Sequence, residues 1–344
     1  MLQPGDKIAI YMEGALHDPS GKMGFGVLRY SPHAVVAVVD RALAGQDARA
    51  VTGIPGPDCP IVATLEEAVT LGANVLVIGI APLGGALPEA WLPIIDRAVG
   101  LGLSIVNGLH GRLRPRYQGL QVGQWIWDIR TEPENLPNGT GAAAKMTAKR
   151  LLLIGTDMAV GKMTAGLQIQ KALLDAGLNA PFVATGQIGM TITGAGVPLD
   201  AIRVDFASGA IEREVIQHPE ADWIIVEGQG SLAHPSSTAT LPLLRGSCPT
   251  HLILCARAGQ THLLRAPHIA IPRLDGFIKL YEDLAEVTGT FPRPKTVAIA
   301  LNTSHLSGAE AKAACEELTA DYGLPCWDPV RHGAGPFAEL LQRS

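Results

Sequence analysis

Short runs of aliphatic and β-branched residues recur along the chain, alternating with amphipathic segments. Such runs predict strands covered on both faces, as in parallel sheets. In the first half these are "KIAIYM" (7–12), "AVVAVVD" (34–40), "ARAVTGI" (48–54), "NVLVIGI" (74–80) and "LSIVNG" (103–108). Between them, "LEEAVTLG" (65–72) and "PEAWLPIIDRAVGLG" (88–102) have helical spacing and a glycine stop. The second half repeats the alternation with strands "RLLLIG", "APFVATG", "DWIIVEG", "THLILCA" and "TVAIALN". Helical stretches such as "MTAGLQIQKALLDAG" and "RLDGFIKLYEDLAEVTG" separate them. The class is therefore α/β, built from parallel βα units.

Residues 131–148 lie in a tract rich in Pro, Gly, Asn and small side chains without apolar periodicity, which reads as a linker. It divides a Rossmann-like domain, 1–130, from a P-loop NTPase-like α/β domain with a mostly parallel sheet, 149–344. The 344 residues are 47% hydrophobic and 17% charged, enough for two cores. A net charge of −5 supplies no global attraction to polyanions, so neither nucleic acid nor an anionic membrane is an expected partner. No apolar stretch reaches roughly 18 residues and the N-terminus lacks a signal-peptide pattern, so the expectation is a soluble, cytoplasmic protein. Cys59, Cys248, Cys255, Cys315 and Cys326 are odd in number and scattered, without metal spacing, and read as reduced core thiols. Low charge together with 39 glycines points to surface covered by homo-oligomerisation.

The stretch with the clearest chemistry is "LLLIGTDMAVGKMTAGLQI", 151–169. Gly155 and Gly161 bound a loop between an apolar strand and an amphipathic helix that Lys162 opens. This is the context of a phosphate-binding loop, with backbone N–H groups and the helix dipole facing an anion. The spacing is Gly, five residues, Gly-Lys, one residue longer than the common form; the plain alternative is a strand-to-helix turn with a surface lysine. Gly155, Thr156, Asp157, Val160, Gly161, Lys162, Met163 and Thr164 are the loop candidates. Magnesium NTPases carry a hydroxyl after the lysine, but Met163 is a poor ligand for a hard cation. Thr164 does not simply replace it, because one residue along a helix rotates a side chain by about 100°. Phosphate binding is thus expected, and metal-assisted phosphoryl transfer is not; no metal ligands are assigned.

Further polar residues follow other strands, where open α/β sheets border their ligand crevice. Glu227 follows "DWIIV"; Thr185, Gly186 and Gln187 follow "PFVA"; Asn302 ends "TVAIALN". The segment "ARAGQTHLLRAPHIAIPR" carries Arg257, Arg265 and Arg273 with His262 and His268, either a solvated loop or a site for a further phosphate. In the first half, "HDPSGKMGFGVLRYSP" reads as a glycine-rich turn with Lys22 and Arg29, and "NGLHGRL" and "WIWDIR" add Asn107, His110, Arg112, Asp128 and Arg130.

Together, "GTDMAVGKMT", "VATGQIG", "VDFASGAIE", "VEGQGSLAHP" and "IALNT", with "GVLRYSP", "GIAPLGG" and "NGLHGRL" upstream, closely resemble one two-domain P-loop family. It was long catalogued only as a domain of unknown function and contains D-glutamate N-acetyltransferases. The likeness runs over nearly the whole chain; the P-loop half is also similar to dethiobiotin synthetase and the cobyric-acid amidotransferases. The resemblance, not the spacing, implies an N-acetyltransferase with acetyl-CoA as cosubstrate and D-glutamate, a small amino acid, as acceptor. On that reading the loop anchors the diphosphate of acetyl-CoA, with Gln187, Arg257 and Asn302 beside it. Direct attack by the acceptor amine is expected in an interdomain cleft, with Glu227 as first choice of base and Asp205 and His234 behind it. Lys22, Arg29, His110 and Arg130 are candidates for the acceptor's carboxylates. The rival is an ATP- and magnesium-dependent ligase or kinase resembling dethiobiotin synthetase, in which Glu227 and Asp157 hold the metal and Thr164 compensates for Met163.

Overall fold

A computed structural model describes residues 2–344, with Leu83 described by its backbone alone. The first half contains β1 (Lys7–Tyr11), α1 (Lys22–Tyr30), β2 (Ala34–Val39), α2 (Ala48–Thr52), β3 (Ile61–Val62), α3 (Leu65–Thr70), β4 (Val75–Ile78), α4 (Leu92–Gly100), β5 (Ser104–Asn107) and β6 (Ile126–Asp128). All six strands are parallel in the order β3-β2-β1-β4-β5-β6, the doubly wound dinucleotide-fold order. Every residue of β4 and β5 is buried, as in a parallel sheet covered on both faces.

The second half contains β7 (Lys149–Gly155), α5 (Lys162–Asp175), β8 (Phe182–Val183), α6 (Gln187–Thr193), α7 (Val204–Ile216), β9 (Trp223–Val226), α8 (Thr240–Ser247), β10 (His251–Arg257), β11 (His262–Leu263), β12 (Ala266–Ala270), α9 (Leu274–Glu286), β13 (Lys295–Asn302), α10 (Gly308–Tyr322), β14 (Cys326–Trp327) and α11 (Gly335–Gln342). Its six-stranded parallel sheet runs β14-β13-β10-β7-β9-β8, with β7 feeding the phosphate loop from the interior; β11 and β12 form a separate antiparallel hairpin.

Chain contacts resolve two compact units, 1–132 with 187–201, and 133–186 with 202–344. The boundary expected at 130 lies near the first junction, but α6 and the turn after it belong to the first unit, where α6 packs on α1. The stretch expected as a linker belongs to the second unit. There the backbone N–H and the hydroxyl of Thr140 both donate to buried Glu212, at 2.9 and 2.7 Å.

Two local expectations fail. "ARAVTGI" is helical over Ala48–Thr52, because Asp47 accepts from the Ala50 N–H at 2.8 Å as an N-cap and Gly53 closes the helix with φ 67°. Lys22 opens a nine-residue helix rather than a glycine-rich turn. Its glycines serve close packing. A Cβ on Gly24 would lie 2.0 Å from Met12 Sδ, and the Gly24 N–H donates to Gly79 O at 2.8 Å.

Candidate active site

In the second unit, the chain leaves β7 at Gly155 and turns through Ala159 (φ 57°) and Gly161 (φ 107°) before α5 begins. The α5 N-cap, Gly161, makes no side-chain cap bond, so the first-turn N–H groups are not answered by a capping side chain. Those N–H groups and the positive end of a 14-residue helix make an anion cradle. Lys162 folds back into this loop and donates to Asp157 O at 2.9 Å. Burial lowers its ammonium to about 8, against the opposing pull of nearby acidic groups, Glu227 among them.

Glu227, at the end of β9, is 4% exposed. One oxygen accepts the Thr185 and Gly186 N–H groups at 2.9 and 3.2 Å, while the Thr185 hydroxyl donates to the Glu227 carbonyl at 2.8 Å. Burial pushes its carboxyl up to about 7; the two N–H donors and Lys162 pull the other way without cancelling the desolvation. Its neighbour Gly228 is obligatory, because a Cβ there would sit 1.6 Å from Leu153 O and 2.9 Å from Lys162 Cδ. An acidic group poised near neutrality beside an anion cradle has the properties of a general base.

Asp157 is 1% exposed, and three donors of its own chain engage it. Oδ1 accepts the Met158 N–H at 2.6 Å; Oδ2 accepts Gln260 Nε2 at 2.7 Å and the Leu264 N–H at 2.8 Å. It thus clamps the β11–β12 hairpin to the phosphate loop. Met163 and Thr164 follow in the first turn of α5, both half-buried. Asn302 pairs in register with Arg257 at the ends of β13 and β10, and its amide lies 3.9 Å from the Cβ position of Gly161. Thr156, Val160, Asp157 and Glu227 are therefore gathered with Lys162 and Asn302 around one loop, and Arg257 stands in register beside Asn302 at the neighbouring strand end.

His234 lies in the turn after Glu227. Its Nδ1 accepts the Ser236 N–H at 3.1 Å, which leaves the proton on Nε2, a buried donor without a partner among the described residues. That turn is tied to the loop through Ser231, whose hydroxyl donates to Thr156 O at 3.0 Å. Asp205 is not gathered here: it is exposed in the first turn of α7, where a carboxylate complements the helix dipole. Gln187, expected beside the cofactor, lies in the first unit, its Cγ 3.2 Å from the Cβ position of Gly108. Cys255 faces Lys162, but burial pushes its thiol up to about 12, an unreactive setting. Gln260, the Leu264 N–H and Ser231 escaped sequence reading. A "GQ" after a basic strand end was the only signal for Gln260.

Of the acceptor candidates, hydrogen bonds gather His110 and Arg130. Arg130 Nη1 donates to His110 Nε2 and pairs with Asp200 at 3.1 Å, while the His110 N–H donates to Gly85 O at 2.8 Å. Lys22 is exposed at the start of α1 and Arg29 stands half-buried in its last turn. Asn107 and Asp128 are structural. Asn107 Nδ2 donates to Gly111 O and Asp128 Oδ1, both at 2.7 Å, and Asp128 receives the Leu113 and Arg114 N–H groups.

Residues 41–132 match the family described as a domain of unknown function, DUF1611_N, Rossmann-like domain, and residues 137–338 match DUF1611_C, P-loop domain. A crystal structure of a DUF1611 family protein from Anabaena variabilis superposes with a TM-score of 0.94 at 46% identity, covering 99% of this chain and 100% of that one. Two relatives named D-glutamate N-acetyltransferase are also similar. One, from a Pseudoalteromonas species, is 39% identical over 280 residues, covering 80% of this chain and 83% of its own. The other, from Tritonibacter scottomollicae, is 38% identical over 283 residues, covering 81% and 84%. Among the described residues, no helix is long and apolar enough to cross a membrane. A Rossmann-like sheet and a P-loop sheet in this order, with relatives of this closeness over most of the chain, place the protein in the two-domain DUF1611 family as an acyltransferase of the N-acetyltransferase kind.

Proposed function

We propose that the protein moves the acetyl group of acetyl-CoA to the amino group of D-glutamate by direct attack, without an acetyl-enzyme intermediate. The observation that carries this reading is the pairing of an anion cradle, followed by Met163 in place of a metal-binding hydroxyl, with a buried carboxyl at about 7. The relatives' names supply the acetyl group and the acceptor.

The uncapped N–H groups of α5 and the Lys162 ammonium hold the diphosphate, which needs anchoring rather than cleavage. Glu227 as carboxylate removes a proton from the acceptor's ammonium, leaving a neutral amine. The amine attacks the thioester carbonyl, the C–N bond forms, the C–S bond breaks, and the departing thiolate takes a proton. Backbone N–H groups are the oxyanion donors, with the His234 Nε2–H available as another. The acceptor's carboxylates call for a cationic fork of the kind a guanidinium provides. In the ligase reading Asp157 holds a metal, whereas here three donors of its own chain already engage its carboxylate.

The test is thiol release from acetyl-CoA with D-glutamate, L-glutamate and other amino acids in parallel, beside an ATP and magnesium control assayed for ADP. Thiol release with D-glutamate and no ADP is expected. ADP without thiol would overturn the reading and restore phosphoryl chemistry.

A further inference from the structure

The turn that follows β9 carries a polar side chain that the fold does not use. Gln229 stands between two glycines with no room for a Cβ: at Gly228 it would lie 1.6 Å from Leu153 O, and at Gly230, whose φ is 68°, 1.7 Å from Ser237 Oγ. Ser237 Oγ also accepts the Ser231 N–H at 3.0 Å, and the Ser231 hydroxyl ties the turn to the phosphate loop at Thr156 O. The backbone on both sides of Gln229 is thereby fixed, all within the second unit. Its half-buried side chain packs on Gly186. A Cβ on Gly186 would meet Gln229 Nε2 at 2.2 Å and Glu227 Oε1 at 3.4 Å, and its three nearest neighbours would all belong to these two side chains.

Both polar atoms at that point are uncommitted. The two hydrogen bonds to the Glu227 carboxylate go to Oε2, and neither Oε1 nor the Gln229 amide has a partner among the described residues. The base therefore presents its open oxygen beside an amide donor. When the acceptor amine bonds to the thioester carbon, the attacking nitrogen and the carbonyl oxygen share one carbon, so the proton acceptor and the donor to that oxygen must stand close together. The donor must also be neutral. A lysine or arginine here would pair with Glu227 and pull its carboxyl down, whereas an amide leaves it basic. A carboxylate of the acceptor is disfavoured beside the Glu227 carboxylate, but the oxyanion forms only after Glu227 has taken a proton and lost its charge.

We propose that Gln229 is a catalytic residue whose Nε2–H donates to the carbonyl oxygen of the acetyl group as the tetrahedral intermediate forms. This rests on the reading of Glu227 as the base in direct transfer from acetyl-CoA. The electron pair then returns from oxygen, the C–S bond breaks, and the thiolate leaves with a proton from the new amide nitrogen. Gly186 belongs to the same arrangement, because the space of its missing Cβ is where the amide sits.

The test uses the full chain with Gln229→Met, Gln229→Glu and Gly186→Ala. It measures kcat, KM for both substrates, the pH profile, and the calorimetric Kd for CoA, which lacks the acetyl carbonyl. In Gln229→Met, kcat is expected to fall about 10²-fold. Both KM values and the CoA Kd should stay within about threefold of wild type, the mark of an interaction made only in the transition state. The rising limb near 7 should be retained. Gly186→Ala should reproduce the loss, and combining it with Gln229→Met should cost little more, because both remove one contact. Gln229→Glu should in addition move the rising limb to higher pH, since a second carboxylate opposes ionisation of Glu227 while the opposing charge, Lys162, is unaltered. An unchanged kcat in Gln229→Met would leave the oxygen to the backbone and His234 and overturn the proposal. A raised KM for D-glutamate at unchanged kcat would make the amide an acceptor anchor, and a lost rising limb would make it a prop for Glu227; either overturns it too. No thiol release by the wild-type protein with any amine sinks the functional reading and this inference with it, whereas release by wild type and variant alike sinks this inference alone.

Discussion

Two residues, Glu227 and Lys162, carry charges that burial drives toward neutrality from opposite directions. The carboxyl rises to about 7 because the carboxylate is desolvated, so its basic form accumulates above that pH. The ammonium falls to about 8 for the same reason, so its anion-binding form is lost above that pH. The expected profile of kcat/KM for acetyl-CoA is a narrow bell, rising through about 7 and falling through about 8. A bound diphosphate favours the ammonium, so the falling limb of kcat at saturating acetyl-CoA should lie at higher pH than that of kcat/KM. Replacing Glu227 with Gln should lower kcat by about 10²-fold or more and erase the rising limb. A flat profile, or a rising limb that survives in that variant, would take the proton-acceptor role from Glu227. Met163 and Glu227 were both legible in the sequence, because each stands at a fixed offset from a strand end or a glycine. Asp200 was not, since its partner lies 70 positions away and only folding brings them together.

Among elements, the β11–β12 hairpin shows where local pattern stops informing. Its composition suggested a basic loop, yet its position is set by Asp157, whose partners Gln260 and Leu264 lie more than 100 residues along the chain. Asp157→Asn keeps the shape but converts a charged acceptor into a neutral one. The Leu264 amide should then exchange its hydrogen about tenfold faster, the equivalent of about 1.4 kcal/mol, near the low end for a hydrogen bond to a charged group. Unaltered exchange would mean that the hairpin is held by its apolar contacts, such as buried Leu263, alone. The long apolar strands were readable because burial on both faces leaves a continuous run. The two-residue strands Ile61–Val62 and Cys326–Trp327 are too short to leave a pattern, and α2 carries Val and Thr that favour a strand until Asp47 caps them as a helix.

At the scale of the whole chain, the five cysteines are all unpaired and buried. Burial raises the thiols of Cys59 to about 11 and Cys255 to about 12, and pushes Cys326 up as well. The folded protein should therefore react with an aromatic disulfide reagent at well under one thiol in the first minutes and at all five after unfolding in guanidinium. One thiol reacting rapidly in the native state would locate a segment that opens locally. The same inertness keeps the protein's own background low in the thiol-release assay. The two-unit division was half readable: the Pro- and Gly-rich tract gave the first junction, while the return of 187–201 to the first unit has no compositional mark.

That return bears on how such a chain can be recombined. A gene cut at the visible junction yields a first piece that lacks α6, the helix packed on α1, and a second piece with that helix left to find another cover. The two halves are therefore not interchangeable cassettes, and a chimera keeps both units intact only if 187–201 is exchanged along with 1–132.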